Sequence, residues 1–230
     1  NGGRPCKIVL DSNQNPVIFY EELSTGMLRV ATNASGSWAI DYVAEEIPGV
    51  NGNASMVIGT DGNYSISHYG QDNTALMFTG YFESSWDIAS STIITGTNTG
   101  LKPRIWIDYS NTLKIAYKDQ ANSLFKLATK SGGNWSSEDL LGISSEYDPS
   151  VYITEDDVKH LSYHDISQSS LKYRGSISSG WDVAYSTIET GTNTGLQPRI
   201  FSDYSNTLRI SYKDQANSLF KLATKSSGNW

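Results

Sequence analysis

The stretch NTLKIAYKDQANSLFKLATKSGGNW, Asn111 to Trp135, returns as NTLRISYKDQANSLFKLATKSSGNW, Asn206 to Trp230. Residues 86–135 and 181–230 share 41 identities in 50 positions at an offset of 95 residues. That offset is two repeats, because a divergent copy, VKHLSYHDISQSSLKYRGSISSGW, lies between them. Two more copies precede, NPVIFYEELSTGMLRVATNASGSW and NYSISHYGQDNTALMFTGYFESSW. Trp38, Trp86, Trp135, Trp181 and Trp230 mark the period, spaced 48, 49, 46 and 49 residues apart. A unit of this size repeated several times is the sequence signature of a stacked array or ring. The expected units are 1–48, 49–97, 98–144, 145–192 and 193–230, together one domain over 1–230.

Each unit reads as four short strands. In the first, Pro5 to Leu10 and Val17 to Tyr20 flank the turn DSNQNP, and Met27 to Thr32 and Trp38 to Ala44 follow. Leu113, Ile115 and Tyr117 alternate with Lys114 and Ala116, the period of two that a strand imposes on its side chains. β-branched and aromatic residues suit pleated sheets, and the abundant Asn, Gly and Ser suit tight turns. Four-stranded units of 40 to 50 residues predict an all-β fold, a five-bladed β-propeller of antiparallel meander blades. Counting along the chain gives nineteen strands, so the last blade is expected to lack its outer strand. A ring with one three-stranded blade, a fragment of a longer repeat protein, or completion by another chain would each account for that.

Composition narrows the partners. A net charge of −7, with seventeen Lys and Arg scattered along the chain, disfavours nucleic acid, which needs clustered positive charge. No apolar run approaches the roughly 20 residues of a membrane-spanning helix. The lone Cys6 excludes an internal disulfide. The chain opens NGGRPC without Met, as a processed product or a fragment would. N-x-S sequons at Asn33, Asn53, Asn63 and Asn134 are compatible with secretion and also with chance in an Asn-rich and Ser-rich chain. An extracellular or cell-surface location is the expectation.

The pattern D-x-x-x-x-P-x-x-x-Y-x-D, then L-K-x-A, then G-x-W resembles bacterial and fungal propeller lectin repeats. It runs from Asp11 to Trp38, Asp108 to Trp135 and Asp203 to Trp230, with Pro only at Pro16. The resemblance is architectural and covers the whole chain. In fucose-type propeller lectins, sugars sit between blades against an aromatic ring, an Arg and an acidic residue, so it implies glycan ligands held in that way.

Three residue sets are candidates for ligand contact. Indole faces of Trp86, Trp135 and Trp181 suit stacking on a sugar, although a Trp repeated in one register also suits an inter-blade core. Trp106 stands off that register, with Phe201 in the twin repeat. The Tyr-x-acid pairs Tyr117 with Asp119, Tyr163 with Asp165 and Tyr212 with Asp214 offer carboxylates to hydroxyls, and Arg104 and Arg199 offer donors. The alternative for each Asp is a cap on the following turn. Tyr20 with Glu22 is the first-unit version, and His68 replaces the Tyr in the second.

Asp11-x-Asn13-x-Asn15 and Asp61-Gly62-Asn63 resemble calcium loops but lack a Glu at the twelfth position, so no metal and no cofactor is expected. Catalytic signatures are absent, and Glu155, Asp156 and Asp157 read as a solvated turn. A glycosidase needs one defined carboxylate pair, whereas repeats supply equivalent sites that multiply weak binding. The chain is therefore expected to be a multivalent lectin-like propeller and not an enzyme, with a homo-oligomer or an additional chain completing the ring among its expected partners. A structural or protein-binding segment of a surface protein is the alternative, and a propeller glycosidase follows it.

Overall fold

The computed structural model describes residues 3–22, 24–25, 27–42, 54–70, 74–82, 85–86, 91–108, 110–142, 149–154, 158–177, 180–181 and 185–230. Every regular element among them is a strand. The first sheet has the order β1 (Gly3–Leu10), β2 (Pro16–Glu22), β3 (Leu28–Thr32), β4 (Ala39–Tyr42). In the second, β5 (Ala54–Ile58), β6 (Tyr64–Gly70) and β7 (Ala75–Phe82) are followed by a fourth strand in two pieces, β8 (Ser85–Trp86) and β9 (Ser91–Ile94), which both pair with β7. The third is β10 (Thr99–Ile107), β11 (Leu113–Asp119), β12 (Leu124–Ser131) and β13 (Asn134–Gly142).

The fourth repeats the split: β14 (Ser150–Ile153), β15 (Lys159–Asp165) and β16 (Ser170–Ile177), with β17 (Gly180–Trp181) and β18 (Ser186–Thr190) both on β16. The fifth has three strands, β19 (Leu196–Ser202), β20 (Leu208–Asp214) and β21 (Leu219–Thr224). Counting each split strand once gives the nineteen strand positions read from the sequence. The fold is the expected five-bladed β-propeller, with three strands in its last blade.

By Cα proximity the residues form two compact units, residues 1–122 with 126–138 and residues 123–125 with 139–230. Within the first, Val17, Phe19, Leu28 and Val30 of blade 1 pack on Met56 and Ile66 of blade 2. Leu76 and Phe78 of blade 2 pack on Ile105, Ile115 and Tyr117 of blade 3. Within the second, Leu171 and Tyr173 of blade 4 pack on Ile200, Ile210 and Tyr212 of blade 5. At each of these junctions the third strand of one blade, joined in blade 1 by the second, meets the first and second strands of the next. A four-stranded sheet has two apolar faces and covers neither alone, so the repeat is stable only when stacked.

Main-chain stitches hold the first strands of adjacent blades together. The backbone N–H of Ile105 donates to Ser55 Oγ at 3.3 Å and that of Ile200 to Ser150 Oγ at 3.1 Å. The connecting segment T-G-L crosses onto the preceding blade at Gly100 and Gly195, both at positive φ (91° and 74°). A Cβ on Gly100 would lie 2.5 Å from Leu76 Cα, and one on Gly195 would lie 2.7 Å from Leu171 Cβ. Only glycine permits both the backbone conformation and the approach.

Candidate functional site

The conserved-looking turns resolve first. Asp11 Oδ1 accepts from the backbone N–H groups of Asn13 and Asn15 at 2.9 and 2.8 Å. Asp108 Oδ1 does the same for Ser110 and Thr112 at 3.0 and 2.9 Å, and Asp203 Oδ1 for Ser205 and Thr207 at 2.9 and 3.0 Å. Asp61 Oδ1 accepts from the Asn63 N–H at 3.0 Å. These carboxylates close Asx-type turns between the first and second strands. Among the described residues no group of three or more His, Cys, Asp or Glu is arranged to hold a metal ion.

The Tyr-x-acid positions come next. Tyr117, Tyr163 and Tyr212 are buried core residues, as is His68 in the blade that lacks the Tyr. Asp119 accepts from Asn122 N–H and Nδ2 at 3.3 and 2.9 Å, and Asp214 from the same groups of Asn217 at 3.2 and 2.8 Å. Asp165 accepts from Ser167 Oγ at 2.6 Å and from Gln168 N–H at 3.2 Å. The acid therefore caps the hairpin between second and third strands.

A cation nine residues before the repeat Trp often joins it. Arg29 Nη2 meets Glu22 at 2.7 Å, Lys126 Nζ meets Asp119 at 3.7 Å, and Lys221 Nζ meets Asp214 at 2.8 Å. In blade 4 the equivalent Lys172 is buried and donates instead to Gln168 Oε1 and Thr187 Oγ1, both at 2.7 Å, with the Tyr185 ring 4.4 Å away.

The indoles behave as inter-blade packing. Trp135 is half-buried against Phe78 at 5.5 Å between ring centroids, with Lys130 Nζ 4.6 Å from the Phe78 centroid. The twin set is Trp230 against Tyr173 at 4.9 Å with Lys225 Nζ 4.6 Å from the Tyr173 centroid. Trp86 and Trp181 enter short strands, but their side chains lie outside the described residues, as do Glu155, Asp156 and Asp157. Trp106 is half-buried, and its indole N–H has no hydrogen-bond partner among the described residues.

Arg104 and Arg199 donate to the carbonyls of the preceding prolines, Pro103 and Pro198, at 2.9 and 2.7 Å. Arg104 pairs across the sheet with Ala116, and Trp106 with Lys114. Strand alternation therefore puts both on the opposite face of blade 3 from Tyr117, and Arg199 is likewise opposite Tyr212 in blade 5. Within one blade the aromatic, Arg and acid of the expected constellation are not brought together.

One junction adds Glu189 and Lys221, which the sequence reading did not single out, to Tyr212 and Asp214, which it did. Glu189 on β18 of blade 4 accepts from the Tyr212 hydroxyl and, at 2.5 Å, from Lys221 Nζ, both of blade 5. Lys221 Nζ also contacts Asp214 at 2.8 Å, so two carboxylates meet one ammonium and the phenol joins them through Glu189. Glu189 and Lys221 are partly exposed, whereas Asp214 is buried. Burial, and then the Glu189 carboxylate, push the Tyr212 phenol up to about 12. The hydrogen bond from Lys221, followed by that from Asn217, holds the Asp214 carboxyl below its usual range. Its two carboxylate partners raise Lys221 in turn. At neutral pH Asp214 is ionised, Lys221 is charged and the Tyr212 hydroxyl keeps its proton.

The twin repeat has Ile94 where this one has Glu189, one of only nine differences between residues 86–135 and 181–230. Comparing the two copies position by position is the signal that would have found it.

No protein-family model and no curated protein matches this chain. Solved structures do match its fold. A Hadza microbial sialidase aligns with TM-score 0.64 at 12% identity, over 97% of this chain and 53% of its own. An exo-β-1,3-galactanase from Phanerochaete chrysosporium, solved with β-1,3-galactotriose, aligns with TM-score 0.63 at 11% identity, over 96% and 60%. The lectin of Aleuria aurantia, in complex with Fucα1-6GlcNAc, aligns with TM-score 0.60 at 10% identity, over 97% and 79%. The chain thus spans little more than half the length of the first two.

At these identities the likeness is one of fold. It nonetheless corrects the expectation that the chain is not an enzyme. That expectation rested on repetition alone, and the fold is shared by a sialidase and a galactanase as well as by a lectin. The physical premise also fails, because Glu189 gives one junction a carboxylate pair that its twin lacks.

Proposed function

We propose that the chain binds carbohydrate at the junction of blades 4 and 5, through Glu189, Tyr212, Asp214 and Lys221. The observation that carries this reading is the convergence of two carboxylates on the partly exposed Lys221 ammonium, with the Tyr212 hydroxyl bonded to one of them. A sugar presents vicinal hydroxyls that both donate and accept. Glu189 can accept two of them side by side, and Lys221 can donate to a third without losing Asp214. The fold neighbours, each named for a carbohydrate it cleaves or binds, support the ligand class. The chain's net charge of −7 favours neutral sugars over uronic or sialic acids.

Hydrolysis is the second reading, favoured by the same carboxylate pair. Asp214 is held ionised, as a nucleophile or base must be, and Glu189 is the partly exposed carboxyl that shares Lys221 with it. Lectin-like binding and hydrolysis are separable by experiment. A glycan array followed by calorimetry should show binding to neutral glycans. Glu189→Ile, which installs the residue its twin already carries, should weaken that binding at least tenfold, or about 1.4 kcal/mol. Release of free sugar from bound glycans, lost in Glu189→Ile, would establish hydrolysis. Neither binding nor turnover with any neutral glycan would overturn the proposal.

A further inference from the structure

The twin junctions, blade 2 on blade 3 and blade 4 on blade 5, differ at a second place besides Glu189. Blades 2 and 4 keep one register, with Val57, Ser65 and Gly80 in a row across the first and Tyr152, His160 and Gly175 across the second. Phe78 and Tyr173 stand two residues before those glycines, on the same face. Each receives an indole and a lysine from the next blade, Trp135 with Lys130 on Phe78 and Trp230 with Lys225 on Tyr173. The lysine over an aromatic ring is the repeated part. Blade 4 adds a phenol and an imidazole to it.

Those additions form a bonded set across the junction. Lys225 Nζ donates to the Tyr173 hydroxyl at 3.3 Å, and His160 Nδ1 lies 2.8 Å from the same oxygen. An imidazole protonated at Nε2 accepts the phenol proton there, so one hydroxyl ties blade 5 to the second strand of blade 4. The His160 ring stacks between Tyr152 and Tyr173 at centroid distances of 6.2 and 5.9 Å. Gly175 leaves the hydroxyl its room, because a Cβ there would lie 2.9 Å from it.

Burial separates this tie from the Glu189 cluster. Tyr173 and His160 are 6% and 8% exposed, whereas the Glu189 and Lys221 side chains are 27% and 32% exposed. A hydrogen bond strengthens where water is excluded, and a solvated ion pair contributes little to stability. Of these two polar contacts between blades 4 and 5, the phenol's is the one that holds them. The clusters also stand apart: Lys221 pairs with Tyr212 near the β20–β21 hairpin, while the Lys225 N–H bonds Leu208 O at the far end of that pair, roughly 13 Å along the strand.

We propose that Tyr173 is a positioning residue for the Glu189 site. Its buried tie to His160 and Lys225 fixes blade 5 on blade 4, which leaves Glu189 and Lys221 able to exchange their mutual bond for those of a ligand. The positioning role rests on the carbohydrate reading of that site, whereas the tie itself can be read without a ligand.

Tyr173→Phe and His160→Ser install the residues of the twin junction, Phe78 and Ser65, so both variants should fold. Tyr173→Phe should speed amide hydrogen exchange of residues 219–224 at least tenfold. His160→Ser should act in the same direction, and the double variant should do no more than Tyr173→Phe alone, since both remove one tie. Glu189→Ile should speed that exchange less than about threefold. The nitrogen-15 resonance of Lys221 Nζ should move in Tyr173→Phe although no hydrogen bond joins the two residues, a change that lost stability alone would not produce. Unchanged exchange in Tyr173→Phe, equal acceleration by Glu189→Ile, or a fixed Lys221 resonance would each overturn the assignment. The expected exchange pattern in a chain that binds no neutral glycan would refute the carbohydrate reading and leave the tie standing.

Discussion

His68 sits where blades 1, 3, 4 and 5 have Tyr20, Tyr117, Tyr163 and Tyr212, and its neighbours have changed with it. The acid two residues on is Gly70, and the third-strand cation is Met77, directly opposite His68 in the register. The imidazole is buried, with Nε2 3.3 Å from Thr79 Oγ1, and burial pulls its pKa down to about 4. The unfolded chain titrates this histidine near 6.5, so between pH 6.5 and 4 the unfolded state binds the extra proton. The native state is thus at full strength above pH 6.5 and loses stability as the pH falls toward 4. A shift of this size corresponds to about 3 kcal/mol. Denaturant unfolding should show that loss, and His68→Gln, which cannot titrate, should flatten it relative to wild type. Parallel curves for the two proteins across this range would refute the assignment.

The elements were largely legible because their signals are local. Period-two alternation located the strands and Asn-, Gly- and Ser-rich segments located the turns, which Asp11, Asp108 and Asp203 close as caps. The split fourth strands of blades 2 and 4 were not legible, since both β8 with β9 and β17 with β18 depend on pairing to a distant strand. Nor was burial, because a period-two pattern cannot say whether a face will be covered. All but the first residue of β11 are buried on both faces, while β21 exposes a face of identical sequence to that of β12. That contrast is itself a measurement. Phe125→Ala should destabilise the chain by about 3–5 kcal/mol, as truncation of a buried Phe does. Phe220→Ala should change the unfolding free energy of the dilute monomer by less than about 0.5 kcal/mol, as at ordinary surface positions. Equal effects would mean that the two faces are equally covered.

At the scale of the molecule, repetition and function part company. Near-identical repeats predict equivalent sites and hence several ligands per chain, and the site groups conserved between the repeats point that way on paper. Yet the structure assigns most of them to the fold: the Tyr residues to inter-blade cores, the Asp residues to hairpin caps, and Trp135 and Trp230 to rings beneath Lys130 and Lys225. In the proposed site the repeated Tyr and Asp gain a new partner through a departure from the repeat. In the junction between blades 2 and 3, Ile94 packs with the apolar cluster that holds Tyr117, whereas Glu189 in the twin junction turns the same position into an ion-paired one. Binding through that departure gives one site per chain. Titration calorimetry with a neutral glycan should therefore return a stoichiometry of one, and Glu189→Ile should remove the binding without lowering the thermal midpoint. The reciprocal Ile94→Glu should create a second, weaker site, because Tyr117, Asp119 and Lys126 already stand in the positions of Tyr212, Asp214 and Lys221. A wild-type stoichiometry above one would return the function to the repeated positions, the indoles first among them.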